Sequence, residues 1–262
     1  MAREPIVTMS EGSVIVTAGA KRMGAAITRC LVRGGARVVV HHRQSHAEAD
    51  ALVAELGPRV VAIECDLAAD GAAETLVATA RSVFGVPVTG VVNNASLFAY
   101  DAPPLTDGNE IDRHMAVNLT APVVLACALA GQPDLTSGAV VNLLDQKLAN
   151  LNPDFFSYTC SKIGLAGATT MLAQAFKGRI AVNAVAPGLT LPSLDQTEAE
   201  FAAVASVNLL QHPVGADQVA SAVAFLLSAR GITGQTIYVD CGQRFVPLDH
   251  DVMFSTRRAV HG

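Results

Sequence analysis

The chain alternates between two hydrophobic rhythms. Short runs rich in β-branched residues recur at positions 14–16, 36–41, 60–65, 88–92, 139–144, 180–185 and 236–239. Between them lie longer, alanine-rich stretches at 23–33, 46–56, 72–84, 109–130, 158–176 and 217–228, with apolar residues three and four apart. The first set reads as strands and the second as amphipathic helices. The strand runs are apolar throughout instead of alternating, as expected when helices cover both faces of a parallel sheet. Strict alternation of strand and helix predicts an α/β fold: a single Rossmann-type, doubly wound parallel sheet of about seven strands with helices on both faces. No linker divides the chain, so residues 1–262 are read as one domain. Residues 1–11 are its N-terminal tail. The stretch 190–216 reads as a substrate loop without a legible pattern. Residues 244–262 form a C-terminal arm, either ordered at a subunit interface or a frayed end.

Composition narrows the classes. An apolar fraction of 51% with 16% charged residues argues against disorder, and a net charge of −5 argues against a nucleic-acid binder, which needs a basic stripe. The longest apolar stretch, 116–131, is interrupted by Asn118 and Thr120 and is short for a membrane span. Cys30, Cys65, Cys127, Cys160 and Cys241 have no metal-ligand spacing and read as reduced thiols. The histidines show no metal pattern either, so a cytoplasmic protein without metal or membrane is expected.

The chemistry begins where the first strand ends. Thr17-Ala18-Gly19-Ala20-Lys21-Arg22-Met23-Gly24 joins a strand to a helix, with small residues that let backbone approach a pyrophosphate and a helix N-terminus offering free N–H groups. At the end of the second strand an NAD-binding chain carries an acid for the ribose 2′-hydroxyl. Here the residues are His41-His42-Arg43-Gln44-Ser45, with no acid. Arg43 and Ser45 suit a 2′-phosphate, which points to NADPH. The alternative for Arg43 is a solvated loop arginine.

Tyr158-Thr159-Cys160-Ser161-Lys162 is a YxxxK motif that places tyrosine and lysine on one helix face. An ammonium beside a phenol favours the phenolate, so the Tyr158 pKa is expected to fall toward neutrality, making it a proton donor. Asn93-Asn94-Ala95-Ser96, Asn118 and Pro187-Gly188 accompany the motif in order.

Together, from about Gly12 to Gly242, these motifs resemble the short-chain dehydrogenase/reductase family. The resemblance implies a cofactor site of Thr17, Gly19, Lys21, Arg22, Met23, Gly24, His42, Arg43, Ser45, Asp66, Leu67, Asn94, Ala95, Ser96, Tyr158, Lys162, Pro187, Gly188 and Thr190. It places Asp66 near the adenine, and Pro187, Gly188 and Thr190 beside the nicotinamide. It gives Asn118 a supporting role in a proton relay through Lys162. It also implies a homotetramer in which helices 109–130 and 158–176 pack against partner subunits.

Three departures from the family pattern are informative. The usual TGxxxGxG is TAGAKRMG, with Ala18 and Arg22 in glycine slots. The usual NNAG is NNAS, with Phe98 shortly after. The catalytic serine expected on the fifth strand is Asp145. Each departure resembles the pteridine reductase branch. That likeness implies substrate contacts from Arg22, Ser96, Phe98, Asp145 and Tyr158, with Phe98 stacking on the pterin and Asp145 and Tyr158 handling protons at ring nitrogens. Tyr158, Lys162, Asp145 and Asn118 are thus the expected catalytic set. The implied reaction is NADPH-dependent hydride transfer to a C=N bond of dihydrobiopterin, dihydromonapterin or dihydrofolate. Two alternatives stand beside it: a carbonyl reductase of the same family, of 3-oxoacyl or sugar/alcohol type, and a non-catalytic NADP(H)-binding regulator.

Overall fold

The computed structural model describes residues 12–105, 107–193 and 196–255. The tail 1–11 and the arm beyond 255 lie outside the described residues. The strands are β1 (Ser13–Val16), β2 (Arg37–His42), β3 (Val60–Glu64), β4 (Val88–Asn93), β5 (Gly138–Leu143), β6 (Ile180–Pro187) and β7 (Thr236–Val239). They form one seven-stranded sheet in the order β3-β2-β1-β4-β5-β6-β7, with every pairing parallel.

Successive strand residues serve opposite faces. Val14, Val16, Val38, Val40, Val92 and Val141 pack with Ile27 and Leu31 of α1 (Arg22–Arg33), Leu52 of α2 (His46–Leu56) and Val223 and Leu226 of α8 (Ala216–Ser228). Ile15, Val39, Val91, Val140 and Val182 pack with Leu76 of α3 (Ala72–Phe84), Leu125 and Leu129 of α5 (Ala121–Ala130) and Leu172 of α6 (Phe156–Ala175). Both faces are therefore covered, which is why the strands read as unbroken apolar runs. From β1 the chain winds outward to β2 and β3, then crosses back to β4. The carboxyl ends of β1 and β4 diverge there and open the crevice in which such sheets bind ligands.

The structure corrects the sequence reading in several places. The continuous helix expected over 109–130 is two α-helices, α4 (Asn109–Met115) and α5, joined by a π-helical turn at Ala116–Thr120. The turn admits one extra residue per hydrogen-bonded ring and leaves Asn118 fully buried. The loop 190–216 is not featureless. It carries α7 (Glu198–Val204), opened by a capping box in which Thr197 and Glu200 bond reciprocally. α6 begins at Phe156, two residues before the expected start. Asp145 lies past the end of β5, where its carboxylate caps a 3-10 turn at Gln146–Ala149. The described part of the arm is ordered against its own chain, with Val252 and Met253 buried.

Candidate active site

The turn after β1 is locked from β4. The Thr17 hydroxyl accepts from the amides of Asn94 (2.9 Å) and Ala95 (2.8 Å), and Asn94 Nδ2 donates to the carbonyls of Thr17 and Ala18. Ala18 adopts φ 48° and Arg22 φ 54°, both in the left-handed region, where a glycine would sit without strain. At Gly24 a Cβ would lie 2.1 Å from the Ala18 carbonyl, so turn and helix touch there with room only for hydrogen. Lys21 precedes the helix without a side-chain cap and pairs loosely with Glu48 at 3.8 Å. Met23 and Arg22 face the cavity described below, and the Arg22 guanidinium donates to the Pro192 carbonyl across its mouth.

At the end of β2, His41 rather than His42 ties the turn in place. His41 Nδ1 accepts from the Ala18 amide at 3.2 Å and Nε2 donates to the Cys65 carbonyl at 2.9 Å. Burial, above all, holds the imidazole below its usual pKa and keeps it neutral. His42 is buried with Nδ1 unpartnered. Arg43 is exposed and Ser45 half-exposed beside it. Asp66 and Leu67 follow β3, and Asp66 accepts from the Ala68 amide at 3.0 Å. His42, Arg43, Ser45, Asp66 and Leu67 thus lie at the ends of β2 and β3, apart from the lining of the main cavity.

That cavity, of about 560 Å³, opens at the carboxyl ends of β4, β5 and β6. It brings together Arg22, Asn94, Ser96, Phe98, Asp145, Tyr158, Lys162, Pro187, Gly188 and Thr190. A Cβ at Gly188 would meet Gln243 Oε1 at 2.7 Å, and the same oxygen accepts from the Leu189 amide. Thr190 bonds back to the Gly188 carbonyl at 2.8 Å. Asn118 braces the wall: it exchanges hydrogen bonds with the Leu97 backbone (2.7 and 2.9 Å) and donates to the Ser161 hydroxyl at 3.0 Å. Its side chain therefore fixes the Ser96–Phe98 segment after β4 to α6 and makes no bond to Lys162 among the described residues.

The reactive centre is a buried chain of ionisable groups. Tyr158 donates to Asp145 Oδ2 at 2.8 Å, and Asp145 Oδ1 accepts from the Lys147 amide at 2.8 Å. Lys162 donates to the Leu143 carbonyl at 2.8 Å, with its ammonium 5.6 Å from the Tyr158 ring centroid. Burial pushes the Lys162 ammonium down to about 8, with Asp145 opposing. Burial raises the Asp145 carboxyl, opposed by its hydrogen bonds from Lys147 and Tyr158 and by the Lys162 charge. The expectation for Tyr158 is overturned: its pKa is pushed well up, not down. Burial is the main cause, and the adjacent Asp145 carboxylate both repels a phenolate and holds the hydroxyl proton. The pair Asp145–Tyr158 thus shares one retained proton facing the cavity.

Phe98 stacks on Phe155 at 4.3 Å between centroids and meets Tyr158 edge-on at 4.8 Å. Phe254, on the arm, stacks on Phe155 in turn at 5.8 Å. Phe155 is fully buried with φ 53°. His41 was read only as part of the stretch 41–45, without a role, and four residues at this site escaped the sequence reading: Lys147, Phe155, Gln243 and Asp251. None belongs to a short motif, and Asp251 reaches the site from an arm with no periodicity. Lys147 lies two residues from Asp145, the only sequence signal that pointed toward it.

Against known proteins, residues 18–244 match a family model described as enoyl-(acyl carrier protein) reductase. An uncharacterized oxidoreductase of Methylorubrum extorquens is 32% identical over 246 residues, covering 89% of this chain and 98% of its own. A 3-oxoacyl-[acyl-carrier-protein] reductase of Staphylococcus aureus is 32% identical over 243 residues, covering 88% and 97%. Among solved structures, FolM alternative dihydrofolate reductase 1 of Brucella suis, in complex with NADP, superposes with a TM-score of 0.86 at 38% identity, covering 90% of this chain and 96% of that one. A blue fluorescent protein from a metagenomic library, in complex with NADPH, gives 0.78 at 32% identity, covering 90% and 99%.

Proposed function

Because this chain belongs to the short-chain dehydrogenase/reductase family, and is thereby an oxidoreductase, we propose that it reduces a C=N bond of a dihydropterin with NADPH. The observation that carries the pterin reading is the Asp145–Tyr158 hydrogen bond at the place where a carbonyl reductase offers a serine hydroxyl. The likeness to the Brucella FolM reductase supports it.

The chain's residues fit the cofactor. Gly24 lets α1 start hard against the backbone of the turn, and the start of α1 has amides without a side-chain cap, which suits a pyrophosphate. The buried, unpartnered Nδ1 of His42 beside Arg43 suits a 2′-phosphate. NADPH, when bound, supplies the hydride. The protein supplies everything else. Phe98, fixed against Phe155, offers an aromatic wall to a flat bicyclic ring. Arg22 bridges to Pro192 and narrows the mouth. Tyr158 and Asp145 hold a proton at the Tyr158 Oη–Asp145 Oδ2 contact, where a ring nitrogen can take it. Lys162 holds positive charge beneath the pair and is itself positioned by the Leu143 carbonyl.

An ionised carboxylate only accepts hydrogen bonds and repels a developing alkoxide, so the same centre suits a carbonyl poorly. The second reading, a carbonyl reductase, is favoured by the 3-oxoacyl reductase relative. A non-catalytic role is disfavoured by the intact Tyr158 and Lys162. For quaternary structure we propose a homotetramer, supported by Val124, Ile163 and Met171 standing exposed on α5 and α6.

NADPH consumption should be followed with dihydrobiopterin, dihydromonapterin, dihydrofolate, an acetoacetyl thioester and a small ketone. Turnover of a dihydropterin, lost in Asp145→Ser, is expected. Efficient reduction of the ketone or thioester with no pterin turnover would establish the carbonyl reading instead.

A further inference from the structure

Lys147 holds two carboxylates at once. Its backbone amide donates to Asp145 Oδ1 at 2.8 Å, and its ammonium donates to Asp251 Oδ2 at 2.9 Å and to Asn152 Oδ1 at 2.6 Å. The side chain is nearly inaccessible, 5% exposed. Asp251 is fixed by more than this pair. Its amide donates to Asp154 Oδ2 at 2.8 Å, and its Oδ1 accepts from the Met253 amide at 3.1 Å, capping the turn that seats Val252 and Met253. Asp145, Lys147, Tyr158, Lys162 and Asp251 all line the one cavity.

We propose that Asp251, delivered by the C-terminal arm and locked by Lys147, is a positioning residue that keeps the proton on the Asp145–Tyr158 pair. This rests on the proposed role of that pair. The charged and titratable groups facing Asp145 are Lys147 from its own turn, Tyr158 and Lys162 from α6 and Asp251 from the arm. Arg22 also lines the cavity, and Asp154 accepts from the Asp251 amide. Two carboxylates then face two ammonium groups. With Asp251 in place, taking the shared proton from the Asp145–Tyr158 pair adds a further negative charge to a dry site, which disfavours its loss. Burial is the larger cause of the raised Asp145 pKa, and Asp251 adds to it in the same direction. Tyr158 feels both effects with the same sign. An arm that merely plugs the cavity would seal it equally well with apolar residues.

Charge and clasp make different predictions for the pH profile. In Asp251→Asn a negative charge is lost and the Lys147 ammonium is left unopposed, so the donor gives up its proton more readily. The basic limb of kcat should move to lower pH by about one pH unit. Lys147→Gln leaves Asp251 unpaired and should move the limb the other way, and the double variant should bring it back. Asp251→Glu keeps the charge and should leave the limb in place. A carboxyl-carbon NMR titration of Asp145, assigned with Asp145→Asn, reads the same shifts without substrate. It therefore stands even if no pterin is turned over, an outcome that would defeat only the functional reading. Opposite displacements in Asp251→Asn and Lys147→Gln support the proposal. An unmoved Asp145 titration in both overturns it, as does an Asp251→Glu limb displaced as far as that of Asp251→Asn.

Discussion

Removing the charge from Lys162 should make the protein more stable and less active. Lys162 is 3% exposed, and burial brings its ammonium down from 10.5 to about 8. Each pKa unit corresponds to about 1.4 kcal/mol, so holding the charged form in the fold costs about 3 kcal/mol. Lys162→Met keeps the length and deletes the charge. It also strips the Leu143 carbonyl of its donor, a loss of about 1 kcal/mol. The net gain near pH 7 is about 2 kcal/mol, or roughly 6 °C in melting temperature for a chain of this size. The pH dependence has a definite sign. Between about pH 8 and 10.5 the unfolded state binds more protons at this site than the folded state, so wild-type stability rises with pH through that window relative to the variant. The advantage of Lys162→Met should be complete below pH 8 and gone near 10.5. Urea melts of both proteins near pH 7 and near pH 10 measure it, and NADPH consumption should show turnover down by about 100-fold or more. A variant less stable than wild type near pH 7, or a stability gap that does not narrow by pH 10, would refute the reasoning.

Two further outcomes test other parts of the site. Tyr158→Phe keeps the ring that packs against Phe98 but deletes the hydroxyl bonded to Asp145, so turnover should fall by roughly 100- to 10,000-fold while a fluorescence titration shows that NADPH still binds. Arg43→Ala should weaken NADPH binding by roughly tenfold to a hundredfold, the worth of a charged hydrogen bond, and leave NADH binding nearly unchanged; equal losses for both cofactors in calorimetry would remove Arg43 from 2′-phosphate recognition.

The sheet was legible because its signal is local. Val38-Val39-Val40 is buried on both faces, so the run is apolar at every position and needs no partner to be recognised. The Tyr158–Lys162 pair was legible because helix geometry fixes its spacing. Other features depend on distances that no short window contains. The π turn at Ala116–Thr120 uses residues that would serve an ordinary helix equally well. The sign of the Tyr158 shift depends first on its burial in the fold and then on Asp145, thirteen residues away and on a different element. The arm is held by Lys147 and Asp154 from far upstream, so its sequence shows neither period nor motif. Helix α7 is a different case: the Thr197-to-Glu200 box was present in the sequence as a start signal.

The lock between Thr17 and Asn94 sets a clock for biosynthesis. The turn leaves the ribosome early, yet the amide that fixes it lies 77 residues downstream. At roughly 5–20 residues per second, the turn waits roughly 4–15 seconds for its partner. Until then Ala18 is held only on its amide side, by His41, because the carboxamide that grips its carbonyl has not been made. A nascent chain halted before residue 94 carries the whole phosphate turn and α1 but lacks the Asn94 and Ala95 contacts that complete the turn. Dinucleotide capture is therefore a late step in synthesis, timed by the arrival of β4 rather than by completion of the first βα unit.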